Sequence, residues 1–104
     1  MNSYQVPALL IISLSAILAT AEIETKVCER LYEQAIQNCK VSMCEDFLKE
    51  AGQAINQKNI KACIKNSDGD LMEGAQICAV DGGEFAALIK EYNSKNSGSH
   101  LKCD

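Results

Sequence analysis

The chain has 104 residues, of which 47% are hydrophobic and 23% are charged, and its net charge at pH 7 is −4. This length limits it to one domain, and an acidic composition without a clustered basic arm argues against binding of nucleic acids or of anionic membranes.

Residues 1–21 have the pattern of a secretory signal peptide. They contain no charged side chain, include an apolar run from Val6 to Leu18, and end in the small-residue triplet Ala19-Thr20-Ala21. The run is shorter than the roughly 20 residues that cross a bilayer as a helix, and the triplet fits a cleavage site. We expect cleavage after Ala21 and a secreted, extracellular domain over residues 22–104, without a membrane span in the mature form. The alternative is an uncleaved membrane anchor.

All the cysteines of the chain follow this segment, and their even number in a short secreted protein predicts three disulfide bonds. Each bond typically contributes about 2–4 kcal/mol to the stability of a small domain. Structural zinc sites usually combine close Cys-x-x-Cys pairs; the chain has none and only one histidine, so we predict no metal site. The six cysteines are Cys28, Cys39, Cys44, Cys63, Cys78 and Cys103.

Residues 25–40 predict a first helix, because Cys28, Tyr32, Ala35 and Cys39 recur at steps of three and four. If that helix is continuous, the Cα atoms of Cys28 and Cys39 lie about 16 Å apart. A disulfide needs them within about 7 Å. The pair Cys28–Cys39 is therefore excluded, and the pairing otherwise stays open.

A second helix is predicted from Ser42, because Ser42-x-x-Glu45 matches a capping box. Gly52 lies inside this predicted helix and is expected to cost about 1 kcal/mol relative to alanine. The face expected to point inward consists of Cys44, Phe47, Leu48, Ala51 and Ile55.

Three further helices are predicted along the rest of the chain. A short one after Asn56 carries Ile60, Cys63 and Ile64 inward, and another begins at Asp70-x-x-Glu73. The last follows a turn at Asp81-Gly82-Gly83 and has the clearest amphipathic pattern, with Phe85, Leu88, Ile89 and Tyr92 on one face. The predicted fold is therefore all-α, a small bundle of about five short helices.

Residues 93–102 contain a single large apolar side chain and several glycine, serine and asparagine residues. This composition predicts a mobile loop, which Cys103 ties back to the helices.

The stretch from Lys65 to Gly74 resembles part of a calcium-binding loop, with Asn66, Asp68 and Asp70 at ligand positions and Gly69 at the turn. In that register the last position, normally a bidentate glutamate, would be Ala75. We therefore interpret the stretch as a turn between helices, with Asp70 capping the next one.

Catalytic machinery is not indicated. The one histidine, His100, lies in the predicted loop, and oxidation removes the cysteines as nucleophiles. We predict neither enzymatic activity nor a cofactor.

Lys58, Lys61 and Lys65 form a basic stripe at helical spacing. The stripe is either a contact for an acidic protein partner or an ordinary solvated helix face.

Two functions are compatible with these features. The first is a secreted interaction protein of the venom, salivary, effector or pheromone-like kind, whose rigid helical surface binds a protein partner or receptor. The alternative is an extracellular carrier of a small apolar ligand or lipid, which needs a cavity of roughly 300 Å³ or more. We favour the first, because a core this small is expected to use most of its large apolar side chains for packing.

Overall fold

A computed structural model describes the backbone of residues 2–103 and the side chains of residues 22–103. The described chain forms three helices, α1 (Asn2–Glu50), α2 (Gln57–Val80) and α3 (Glu84–Lys95), and no strand. The all-α prediction is confirmed, whereas the prediction of about five helices is wrong. The side chains of the predicted signal peptide lie outside the described residues, and cleavage after Ala21 stays a prediction.

The first two predicted helices are one continuous helix. Ser42 and Glu45 lie inside α1, where their capping-box pattern has no free helix end to cap. The helix ends instead at Gly52, whose φ of 70° is the left-handed conformation that glycine adopts readily. The Gln53 N–H donates to the Leu48 carbonyl at 2.8 Å, and the Gly52 N–H donates to the Lys49 carbonyl at 3.1 Å. This is a Schellman motif, so Gly52 terminates the helix and is not an interior residue.

The next two predicted helices are likewise one. Helix α2 begins after Asn56, whose side chain accepts from the Asn59 N–H at 2.8 Å, and it continues through Asp70 and Glu73. The predicted turn is only a kink at Ser67, where φ is −121° and ψ is 15°. The chain cannot turn away there, because disulfides hold both halves of α2 against α1.

Those disulfides use every cysteine, so the prediction of three bonds is confirmed. The bonds are Cys28–Cys103, Cys39–Cys78 and Cys44–Cys63, with Cα–Cα distances of 5.6, 6.0 and 5.9 Å. Helix α1 supplies one cysteine to each bond. Two bonds reach α2, one on each side of the kink, and the third reaches the C-terminal tail.

The core lies between α1 and α2 and is built from small side chains. Ala35 and Cys39 of α1 pack with Ala75 and Ala79 of α2, all of them buried. Gly74 adds to this close approach, because a Cβ atom there would lie 2.8 Å from the Met43 side chain. Larger side chains cover the core from the edges, namely Tyr32, Met43, Met72, Phe85 and Leu88.

Three residues predicted to point inward do not. Ala51, just past the end of α1, is exposed, and so are two larger side chains. Phe47 and Ile55 are 49% and 50% exposed. The termination of α1 at Gly52 places Ile55 in the loop before α2, beyond the last turn of the helix. Phe47 lies on the flank of α1, beside Leu48 and Cys44, which are buried.

The tail after α3 makes specific contacts. The Asn93 side chain donates to the Leu101 carbonyl at 3.1 Å and accepts from the Leu101 N–H at 2.9 Å, and Leu101 itself is buried. The segment predicted as a loop over residues 93–102 thus begins inside α3. Its mobility stays a prediction.

Candidate protein-docking face on the second helix

The three lysines of the predicted stripe lie together on the outside of α2. All of them are exposed, and helical spacing places them opposite Cys63, which is bonded to α1. The ion pairs among the described side chains join Lys40 to Asp68 and Lys95 to Glu91. The three ammonium groups therefore have no carboxylate partner within residues 22–103.

The same side of α2 continues past the kink with a different chemistry. Asp70, Glu73, Ile77 and Val80 are all exposed and lie opposite the buried residues Leu71, Ala75 and Ala79. Ile77 and Val80 are 54% and 59% exposed, so they add apolar area to this side of the helix. We call the whole row the outer face of α2, which consists of Lys58, Lys61, Lys65, Asp70, Glu73, Ile77 and Val80.

Sequence reasoning found the basic half of this face and missed the rest. The sequence did indicate that Ile77 and Val80 are exposed. At helical spacing the inward row is Leu71, Ala75 and Cys78, and Ile77 and Val80 fall outside it. A single helix running from Gln57 to Val80 was needed to join the two halves into one face.

The charges of the outer face oppose the dipole of α2. A helix has a partial positive charge at its N-terminus and a partial negative charge at its C-terminus. The first turn of α2 contains Lys58 and no acidic residue, and its last turn contains no basic residue and is followed by Asp81. Lys61 and Lys65 are also four residues apart, a spacing at which like charges repel on a helix. This arrangement therefore lowers the stability of the helix on which it lies.

Asp68, the central residue of the calcium-like stretch, has a different role. Its carboxylate lies 2.6 Å from the ammonium group of Lys40, a buried residue of α1. Lys40 follows Cys39 directly in the sequence, and both residues are buried. In this arrangement Asp68 supplies the negative charge that a buried lysine needs, right beside the kink at Ser67.

A cleft with an aromatic wall lies beside the Cys28–Cys103 bond. Its volume is about 510 Å³, and Tyr32 and Phe85 form one wall with their rings packed edge to face at 5.3 Å. Glu24, Glu29 and Lys102 stand at its rim. The cleft is above the lower limit of about 300 Å³ for small-molecule sites, and sequence reasoning did not anticipate it.

Other candidate chemistry is not gathered into a site by the fold. His100 is exposed in the tail, and within the described residues no group of three potential metal ligands comes together. None of the helices, as far as the described residues extend, has the length and hydrophobicity required to span a bilayer.

Comparison of the chain with protein-family models, with curated proteins and with solved structures finds no match in any of the three. Function is therefore inferred from the chain's own surface.

Proposed function

We propose that the protein is a small, secreted, non-enzymatic interaction protein and that the outer face of α2 is where it binds a protein partner. The observation that carries this proposal is the basic half of that face: three exposed lysines, without acidic partners, on a protein whose net charge is −4. The complementary surface on the partner is acidic.

Three features support a docking role over an ordinary solvated surface. The charges of the face work against the helix dipole, and a local pattern that lowers stability is more common where it serves binding. Exposed Ile77 and Val80 add apolar area, which binding removes from water. The disulfides on either side of the kink hold the face in one shape, so little conformational freedom is lost on binding. The disulfides are also compatible with an extracellular location.

The experiment is a binding screen against extracellular protein domains of the organism that makes the protein. The oxidised protein, expressed from the full chain through a secretory route, is compared with a K58E/K61E/K65E variant. The matched control is K26E/K49E/K90E, which makes the same change in net charge at exposed lysines outside α2. We expect the stripe variant to lose at least about tenfold in affinity, corresponding to about 1.4 kcal/mol, and the control to lose much less. Equal losses in both variants would show only non-specific electrostatics, and a screen without binding would contradict the proposal.

The cleft supports a second candidate, a carrier of a small apolar ligand. Its aromatic wall and its volume of about 510 Å³ suit an apolar molecule, and its rim carboxylates would face the polar end of that molecule. The two candidates differ in one observable property: a carrier retains a bound small molecule in native mass spectrometry, and an interaction protein does not.

A further inference from the structure

We propose that the outer face of α2 pairs with the same face of a second copy of the chain, in an antiparallel dimer. This inference rests on the proposed function, in that it names the acidic surface that the basic half of the face contacts. The observation behind it is that the face is self-complementary. One half carries only lysines, and the other carries only acidic and apolar side chains.

The register follows from the spacing along α2. In an antiparallel pair related by a two-fold axis, each residue meets the residue at the same distance on the other side of the axis. An axis at the kink, between Ser67 and Asp68, brings Lys65 opposite Asp70 of the second copy. It also brings Lys61 within one residue of the position opposite Glu73 of the second copy. At 1.5 Å of rise per residue, a lysine side chain easily spans that offset.

The same axis also matches the apolar ends of the face. Lys58 comes opposite Ile77 of the second copy, whose side chain can be covered by the methylene stem of the lysine. Val80 comes near the N-terminal end of α2 of the second copy. Ile77 and Val80 are 54% and 59% exposed. One register therefore pairs the opposite charges and brings these exposed apolar side chains into the interface.

The pairing also resolves the electrostatic conflict within α2. Each basic half, which lies at the N-terminal end of its own helix, receives the acidic half of the other copy. The two helix dipoles then run in opposite directions, which is the favourable arrangement for neighbouring helices. The unfavourable interaction between the charges and the dipole of α2 in one copy is thus compensated by the opposite charges of the other copy.

The size of the face sets the expected strength. Helix α2 has 24 residues and is therefore about 36 Å long. One helix face of this length is smaller than the roughly 800 Å² per partner of stable interfaces. We therefore expect a reversible dimer with a dissociation constant in the micromolar range, weakened by salt because its ion pairs lie near solvent.

The test uses two complementary charge variants of the oxidised protein expressed from the full chain. K61E/K65E leaves Lys58 as the only basic residue of the outer face, and D70K/E73K makes all its charged residues basic. In sedimentation velocity experiments over a range of concentrations, we expect each variant alone to dimerise at least about tenfold more weakly than the unaltered protein. An equimolar mixture of the two should form a heterodimer, because every pair across the interface is again of opposite charge. Circular dichroism checks that both variants remain folded, and K26E/K90E, altered at exposed lysines outside α2, is the control expected to dimerise normally.

The outcomes separate this inference from the proposed function. An unaltered protein that stays monomeric up to millimolar concentration overturns the dimer, as does a mixture that shows no heterodimer. In either case, loss of ectodomain binding by K58E/K61E/K65E alone would still support the proposed function with a different partner. Heterodimer formation by the two variants, without binding of any extracellular protein domain in the screen, would support the dimer and contradict the proposal of a separate receptor.

Discussion

At the scale of single residues, the most consequential side chain is Lys40. It is 2% exposed on a protein of 104 residues, and its ammonium group contacts the Asp68 carboxylate at 2.6 Å. A buried charge is tolerated only when it is paired. The pair links α1 to α2 beside the kink, so it helps to hold the two halves of the outer face in register.

Removal of the Asp68 carboxylate should therefore destabilise the protein. For Asp68→Ala we expect a loss of about 2 kcal/mol in the free energy of unfolding, because the buried Lys40 ammonium loses its charged partner. The loss is not larger because solvent already partly screens the half-exposed Asp68 carboxylate. The measurement is urea unfolding of the oxidised protein followed by circular dichroism.

Asp70→Ala is the matched control. Asp70 is exposed on the same helix, and its replacement by alanine brings the same gain in helix propensity as Asp68→Ala. We therefore expect Asp70→Ala to change the free energy of unfolding by no more than about 0.5 kcal/mol. The double variant K40M/D68A should recover most of the loss, because methionine fills the buried space without a charge. Equal effects of the two alanine substitutions would show that the ion pair does not contribute to stability.

At the scale of the element, α2 is organised against its own dipole. Lys58 lies in the first turn, where the helix end is already positive, and Lys61 lies one turn away. Natural proteins often accept such a cost where a surface serves binding. A substitution at Lys58 is therefore expected to change the stability and the binding of the protein in opposite directions, and both can be measured.

Lys58→Glu should stabilise the protein while it weakens binding at the outer face. We expect a gain of about 1 kcal/mol from the interaction with the dipole and the removal of repulsion from Lys61, seen as a rise of about 4–8 °C in the midpoint of thermal unfolding for a domain of this size.

Lys90→Glu provides the comparison, because Lys90 is exposed in the middle of α3 and its substitution should change the midpoint little. A fall in stability on Lys58→Glu would mean that Lys58 has a stabilising contact that outweighs its unfavourable interaction with the helix dipole, contrary to this prediction.

At the scale of the whole molecule, the disulfides differ in protection. Cys39 and Cys44 are buried, so each of the two bonds between α1 and α2 has at least one sulfur shielded from solvent. Both cysteines of the Cys28–Cys103 bond are only half-buried, and that bond borders the cleft. A reductant must reach a sulfur atom to break the bond.

We therefore expect graded reduction to open Cys28–Cys103 first. Alkylation during mild reductant treatment, followed by peptide mass spectrometry, should label Cys28 and Cys103 before any other cysteine. The helical circular dichroism should persist at that stage, because the bonds that join α1 to α2 remain intact. Labelling of Cys39 or Cys44 in the first step would contradict this order.

Several features of the protein followed from the sequence alone. Helical spacing of Tyr32, Ala35 and Cys39 was enough to identify the buried side of α1, because a period of three to four residues has one structural meaning. The cysteine count was enough to predict three disulfides, because a chain of this length has too small a core without them. The lysines of the outer face were also visible, since their spacing places them on one side of any helix.

Only the tertiary structure decided how many helices there are, which cysteines pair and where Lys40 lies. The patterns at Ser42 and Asp70 are local signals worth about 1 kcal/mol each. They were outweighed by the burial of Leu48, Leu71 and Ala75 between the helices and by the covalent bonds on both sides of the kink. Contacts between residues distant in the chain cannot be seen in a local pattern, and here they determine the outcome because they involve more free energy than the caps they override.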